Sequence, residues 1–219
     1  MPKATPVLPI SFAVFHDDEP VDATLDFADN ADVISTTRWR VPHLDDESML
    51  TRAADAREFA LLAAKRWRHY RDTNSAALSH ADLRRKIAAD PHGEYCFHLK
   101  LTADWFPVSL GGAMIRRTWH HHLALDFLFV HPRISSRLVN VKSVGLQILR
   151  AVCMIAQDLG CQRVWGEILP PFTNAISSSP WTISLPLVQM RLRSLPRGSR
   201  PSANREVSSS CLYTPHPVI

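Results

Sequence analysis

The stretch 118–131, TWHHHLALDFLFVH, gathers side chains that could do chemistry. His120, His121 and His122 stand in a row, and imidazole is the ligand type that zinc and many transition metals accept most readily. Four residues on, Asp126 interrupts a run that is otherwise apolar. Spacing weighs against a metal. Successive residues at a strand turn project in different directions, so three adjacent imidazoles converge poorly on one ion, and no further His, Cys, Asp or Glu at ligand spacing joins them. The histidines read as a hydrated turn, and no metal is expected. Asp126 is more pointed. A carboxylate among apolar neighbours must either be paired, here with Arg116, Arg117 or backbone, or be driven toward its neutral form. In the second case it could act as a general base and take a proton from a reacting group, directly or through a water. Glu167, in RVWGEI, is the other candidate base.

The elements that would position these residues follow from periodicity. ISFAVF (10–15) reads as a first strand, and residues 26–47 as irregular and polar. From Asp46 to Tyr70, Met49, Ala53, Ala56, Ala60, Ala63, Trp67 and Tyr70 recur at helical spacing, and the small residues let that helix lie close against a sheet. Ser79 and Asp82 mark the start of a second helix, which ends before the turn Asp90-Pro91-His92-Gly93. Three strands are predicted at 95–102, 108–118 and 122–130, joined by short connections as in an antiparallel meander. In the third, simple alternation puts Leu123, Leu125, Phe127 and Phe129 on one face and Ala124, Asp126, Leu128 and Val130 on the other. Both faces are apolar apart from Asp126, so the strand is expected to be central. A long loop leads to a helix over 143–159 with Val144, Ile148, Leu149, Val152, Ile155, Ala156 and Leu159 on its buried stripe and Gly160 at its end. Residues 163–168 read as a strand pairing parallel to, or splaying from, the central one. Trp39 and Trp105 fit either a pocket lining or ordinary packing.

This order, together with the FLFVHP and GLQILRAVCMIAQDLGCQRVWGE wording, resembles the GNAT superfamily of N-acetyltransferases, closely over about residues 95–168 and loosely over 10–94. The resemblance implies an α/β (α+β) fold with a mixed, mostly antiparallel sheet flanked by helices. It also implies acetyl-CoA, or another acyl-CoA, as co-substrate, lying where the fourth and fifth strands of the family part. Leu128, Phe129 and Val130 fall at the strand end that would pair with the pantetheine arm. Lys142-Ser143-Val144-Gly145-Leu146-Gln147 matches the family's phosphate-binding motif, so Lys142, Ser143, Val144, Gly145 and Gln147 are expected at the pyrophosphate. Gln147 departs from the motif, with a bulky side chain where a small residue is usual, and the preceding loop is longer than the family's.

Composition bounds the rest. The chain has 219 residues, 46% of them hydrophobic and 21% charged, as in ordinary globular proteins. Cys96, Cys153, Cys161 and Cys211 form no CxxC pair and read as reduced thiols of a cytoplasmic protein. The net charge of +4 arises wholly after Leu169, where five Arg face a single acid, Glu206. The preceding body is neutral, so a phosphate-gripping face, and with it a nucleic-acid partner, is not expected. Neither is a membrane; the partner that the resemblance implies is a small-molecule or peptide amine. Residues 170–219 hold eight of the 16 prolines and ten serines. They read as a disordered or frame-shifted tail that leaves the sheet incomplete after a domain over 1–169, with 163–168 as an open edge able to pair with a second copy. Read from the preceding third base, the degenerate codons of residues 172–177 permit Phe-Tyr-Gln-Arg-His-Leu, the start of a helix carrying the tyrosine that the family uses to protonate the departing thiolate.

Overall fold

The computed structural model describes residues 8–161, 163–168, 182–185 and 188–194. A hairpin opens the chain, β1 (Ile10–His16) and β2 (Glu19–Phe27), followed by α1 (Asn30–Thr37) and the long α2 (Glu47–Asp72). Then come the two-residue strand β3 (Ala76–Ala77), α3 (His80–Ala89) and the meander β4 (Tyr95–Ala103), β5 (Phe106–Arg117), β6 (Leu123–Val130). A short α4 (Pro132–Ser135) and β7 (Val141–Lys142) precede α5 (Val144–Asp158) and β8 (Arg163–Ile168). Two further strands, β9 (Thr182–Leu185) and β10 (Val188–Ser194), end the described chain.

One sheet runs β7-β1-β2-β4-β5-β6-β8-β10-β9, with β3 beside β4. Its first part is antiparallel apart from the short β3–β4 pair, whereas β6–β8 and β8–β10 are parallel. This is an α+β architecture with a mostly antiparallel sheet flanked by helices. α5 and α3 cover one face, where Leu83, Val144, Ile148, Val152 and Ile155 pack on Leu99, Leu125 and Val164. α2 covers the other, with Ala60, Ala63, Ala64 and Trp67 against Cys96, Met114 and Phe129. The alanine face explains why a 26-residue helix can lie flat on the strands: residues without branched side chains permit close approach to the sheet. Its start is capped by Asp46, whose carboxylate accepts from the Met49 N–H at 2.8 Å. Ser79 caps α3 by accepting from the Asp82 N–H at 3.1 Å, and Gly160, at φ 68°, ends α5 in the left-handed region.

Several expectations are corrected. The span 26–47, read as irregular, carries the end of β2 and all of α1. The signals were present: Val21, Ala23, Leu25 and Phe27 alternate along β2, and Asp29 and Asp32 form a reciprocal capping box. The loop 131–142 contains α4 and β7, and β7 pairs with β1 through Phe15–Lys142 and His16–Val141. The segment after Leu169 is not wholly without strands. Val188, Met190 and Leu192 alternate in the sequence with Gln189, Arg191 and Arg193 in β10, whose residues 189–194 pair with the whole of β8, so residues 163–168 are not an open edge. The stretch 172–177 that would encode the displaced helix, like Cys211, lies outside the described residues.

Candidate active site

The central feature is where β6 and β8 stop pairing. They are joined in parallel only at Leu123–Val164, Ala124–Trp165 and Leu125–Gly166. β8 continues to Ile168 on β10, and β6 continues to Val130 on β5. From Asp126 onward β6 therefore offers N–H and C=O groups that no described strand takes up.

The cause is local. On the β5 side, Met114 faces Phe127 and Ile115 faces Leu125, which leaves Asp126 as an extra residue, a β-bulge. A bulge reverses the alternation beyond it, so the faces read from simple alternation hold only to Leu125. Leu123, Leu125, Leu128 and Val130 join the α5-side core, whereas Phe127 and Phe129 join the α2 side. The same bulge that bends β6 away from β8 thus sets which side chains meet which helix.

Asp126 itself is held. Its Oδ2 accepts from Arg116 Nε at 2.5 Å and its Oδ1 from Arg116 Nη2 at 2.9 Å, a fork on both oxygens. Arg66, reaching across from α2, approaches Oδ2 at 3.0 Å, and the Asp126 side chain is only 6% exposed. Arg116 also donates to Glu94 at 3.2 Å, and Glu94 accepts from the Tyr70 hydroxyl. Burial, then the bond to Glu94, pushes the Tyr70 phenol up to about 12, so it holds its proton at neutral pH. The result is a connected network at the vertex of the gap, and Asp126 takes the paired alternative of the two that its surroundings allow. Arg66, Glu94 and Tyr70 were not singled out from sequence. They come from a helix face and a turn remote in sequence; helical spacing marked Tyr70 as a packing residue only, and nothing in the spacing of Arg66 or Glu94 points to Asp126. Glu167 pairs through its backbone with Arg193; its side chain lies outside the described residues.

The tip of α5 stands over the freed end of β6. A Cβ placed on Gly111 would lie 3.1 Å from Val144 Cγ1 and 3.2 Å from Val130 Cα, and one placed on Gly145 would meet only Leu128 Cδ2 at 3.7 Å. Gly145 therefore answers no packing demand. Ser143, at φ 70°, turns the chain into the helix without a side-chain cap. The first-turn N–H groups of a helix have no partners within it, and together with the helix dipole they favour an anion.

The remaining motif residues divide. Gln147 does not stand in the way of a phosphate. It is 6% exposed, donates to Ala13 O of β1 at 2.8 Å and accepts from Arg150 Nη1 at 3.2 Å, so the bulky residue serves as a tie to the hairpin. Lys142 is tied to Asp18 in the β1–β2 turn, and its ammonium is already compensated. Phe129 and Val130 are buried, so they can offer a ligand only their backbone.

The histidines separate as well. His122 Nδ1 accepts from the Trp165 indole at 3.1 Å, His121 Nδ1 faces Arg117 Nη2 at 2.5 Å, and the His120 ring lies 3.4 Å from that of Trp119. Among the described residues no group of His, Cys, Asp and Glu is placed to hold a metal ion. Burial raises the Cys153 and Cys161 thiols to about 11 and Cys96 further still, so none is a ready nucleophile. No described helix is long and apolar enough to cross a membrane.

Compared with known proteins, the chain matches no family model, no curated protein and no solved structure.

Proposed function

We propose that the protein is an acyl-CoA-dependent N-acyltransferase of the GNAT type that moves an acetyl or other acyl group to an amine. The observation that carries this reading is the early end of β6–β8 pairing at the Asp126 bulge, directly under the tip of α5. A pantetheine arm has amide groups that suit the unpaired backbone of residues 127–130. The open space at Gly145 and the first-turn N–H groups of α5 suit a pyrophosphate. In the transfer, the acceptor nitrogen bonds to the acyl carbon and the carbon–sulfur bond breaks. The nitrogen gives up a proton and the thiolate takes one. Backbone donors along β6 would polarise the thioester carbonyl.

Thermal denaturation with acetyl-CoA tests the cofactor half. A ligand at about 100 times its dissociation constant adds about 2.7 kcal/mol, or a rise of roughly 5 °C or more for a chain this size. No rise at millimolar acetyl-CoA would overturn the reading.

A second reading, an inactive acyltransferase fold that binds CoA or a partner without turnover, is favoured by one observation: both oxygens of Asp126 are engaged by arginine, leaving no free carboxylate there. It predicts the same thermal rise, with no release of free CoA thiol from acetyl-CoA in the presence of any amine tried. Under either reading Asp126 is structural. Asp126→Asn should lower stability by roughly 2–3 kcal/mol in urea unfolding, because Arg116 loses its buried counter-charge; an unchanged midpoint would show that the network carries no load.

A further inference from the structure

A groove of about 400 Å3 opens beside the end of β6. Its floor is aromatic. Trp39, Phe106 and His131 are each less than 10% exposed, and the His131 ring meets Trp39 edge-on at 4.7 Å and Phe106 at 5.1 Å. Trp39 also packs on Phe129 at 5.8 Å, so the floor is continuous with the strand that borders the gap. Its rim is cationic, formed by Arg38 and Arg40 after α1 and by Arg133 after β6. All three side chains are exposed, and among the described residues none is ion-paired with a carboxylate, whereas Arg66 and Arg116 nearer the vertex are. His131 adds no charge at neutral pH. Burial, and then the Arg133 guanidinium, hold its imidazole down at about 4, and its Nδ1 accepts the Arg133 N–H at 3.2 Å.

An apolar aromatic floor under three guanidinium groups that have no carboxylate partner among the described residues matches one kind of ligand: an aromatic or aliphatic body of modest size that carries an anion. Guanidinium is weakly hydrated and forks onto carboxylate and phosphate oxygens alike, so the shared chemistry is an oxyanion next to an apolar group. The volume lies within the range of small-ligand sites. We propose that this groove receives the acceptor and selects amines whose apolar body bears a carboxylate or phosphate. The proposal rests on the acyltransferase reading for the word acceptor; the recognition of an apolar anion does not.

Titration calorimetry on the full chain, with phenylacetate, its neutral isostere phenylacetamide, and phenyl phosphate, tests it. Phenylacetate or phenyl phosphate should bind at least about tenfold more tightly than phenylacetamide, with affinity falling as salt rises. The stronger of the two anions identifies the source of the oxyanion. The double variant Arg38→Ala/Arg133→Ala should lose that preference while keeping the parent's melting temperature and its acetyl-CoA shift, since both side chains are exposed. Binding of both phenylacetate and phenyl phosphate no tighter than that of phenylacetamide, or a preference that survives the double variant, overturns the proposal. Arginine-dependent phenylacetate binding without any acetyl-CoA shift would instead overturn the acceptor assignment while sparing the anion site, which separates the two failures.

Discussion

At the scale of single residues, the same chemistry leads to opposite fates according to what reaches each group. Asp126 and His98 are both polar groups on central strands. Asp126 has two guanidinium partners; among the described residues neither ring nitrogen of His98 has a hydrogen-bond partner. His98 is 1% exposed and lies between Trp67, at 6.1 Å, and Phe129, at 5.4 Å. Burial pushes its imidazole down to about 3 from a usual 6.5. The sign follows from linkage. Below about pH 6.5 the unfolded chain binds a proton that the folded chain refuses, so stability is full above that pH and declines as pH falls toward 3. The slope contributed approaches about 1.4 kcal/mol per pH unit. His98→Leu should flatten urea-derived stability between pH 4 and 6 by about that amount, and an unchanged slope would show that the imidazole titrates normally. The Arg116 partner of Asp126 was legible in the sequence as one of two nearby arginines. The isolation of His98 was not, because a strand letter carries no record of which helix covers it.

At the scale of elements, glycines show which close approaches are structural and which leave room for a ligand. A Cβ on Gly112 would sit 2.5 Å from Leu99 O and 2.9 Å from Phe129 Cζ, with backbone on one side that cannot move without breaking the β4–β5 ladder. Gly112→Ala should therefore cost about 3 kcal/mol or prevent folding. Gly145→Ala meets nothing nearer than 3.7 Å and replaces a poor helix former, so its stability should stay within about 1 kcal/mol of the parent or rise slightly. Its acetyl-CoA shift should nonetheless shrink, because the methyl group enters the space assigned to the pyrophosphate. Paired melting curves with and without acetyl-CoA read both quantities, and an undiminished shift in Gly145→Ala would remove that glycine from the site. The helices α2, α3 and α5 and the strands β1, β4, β5, β6 and β8 were legible as periodicity, down to the Ser79 cap, whereas β2, α1, α4 and β10 were not. The bulge was not: it appears only when the register of β6 against β5 is known, and it moved Phe127 and Phe129 to the opposite face from the one alternation assigns.

At the scale of the whole molecule, three residue pairs join β6 to β8, and beyond them the two parts of the sheet are bridged by α5, which packs on strands from both. β10 gives β8 its second neighbour. A chain ending at Ile168 would lose that neighbour and present a row of unpaired backbone groups. It should elute as dimers or larger aggregates in size-exclusion chromatography, where the full chain at equal concentration does not. A truncated chain that stays monomeric with an unchanged melting temperature would mean that β10 contributes nothing to the sheet.

The sequence by itself determined what depends on local pattern: an α+β chain, an alanine-faced helix, a meander with an apolar central strand, an amphipathic helix after it, and a neutral body. Helical and strand periods are properties of neighbouring residues, so they survive without coordinates. Only the tertiary structure decided what depends on residues far apart in the chain meeting. It tied Asp126 to Arg66 and Arg116, turned Gln147 onto Ala13, drew β10 alongside β8, and gathered Arg38, Arg40 and Arg133 around one aromatic floor. Partnership in a dense interior is set by register and packing, and neither is written in the spacing of a single segment.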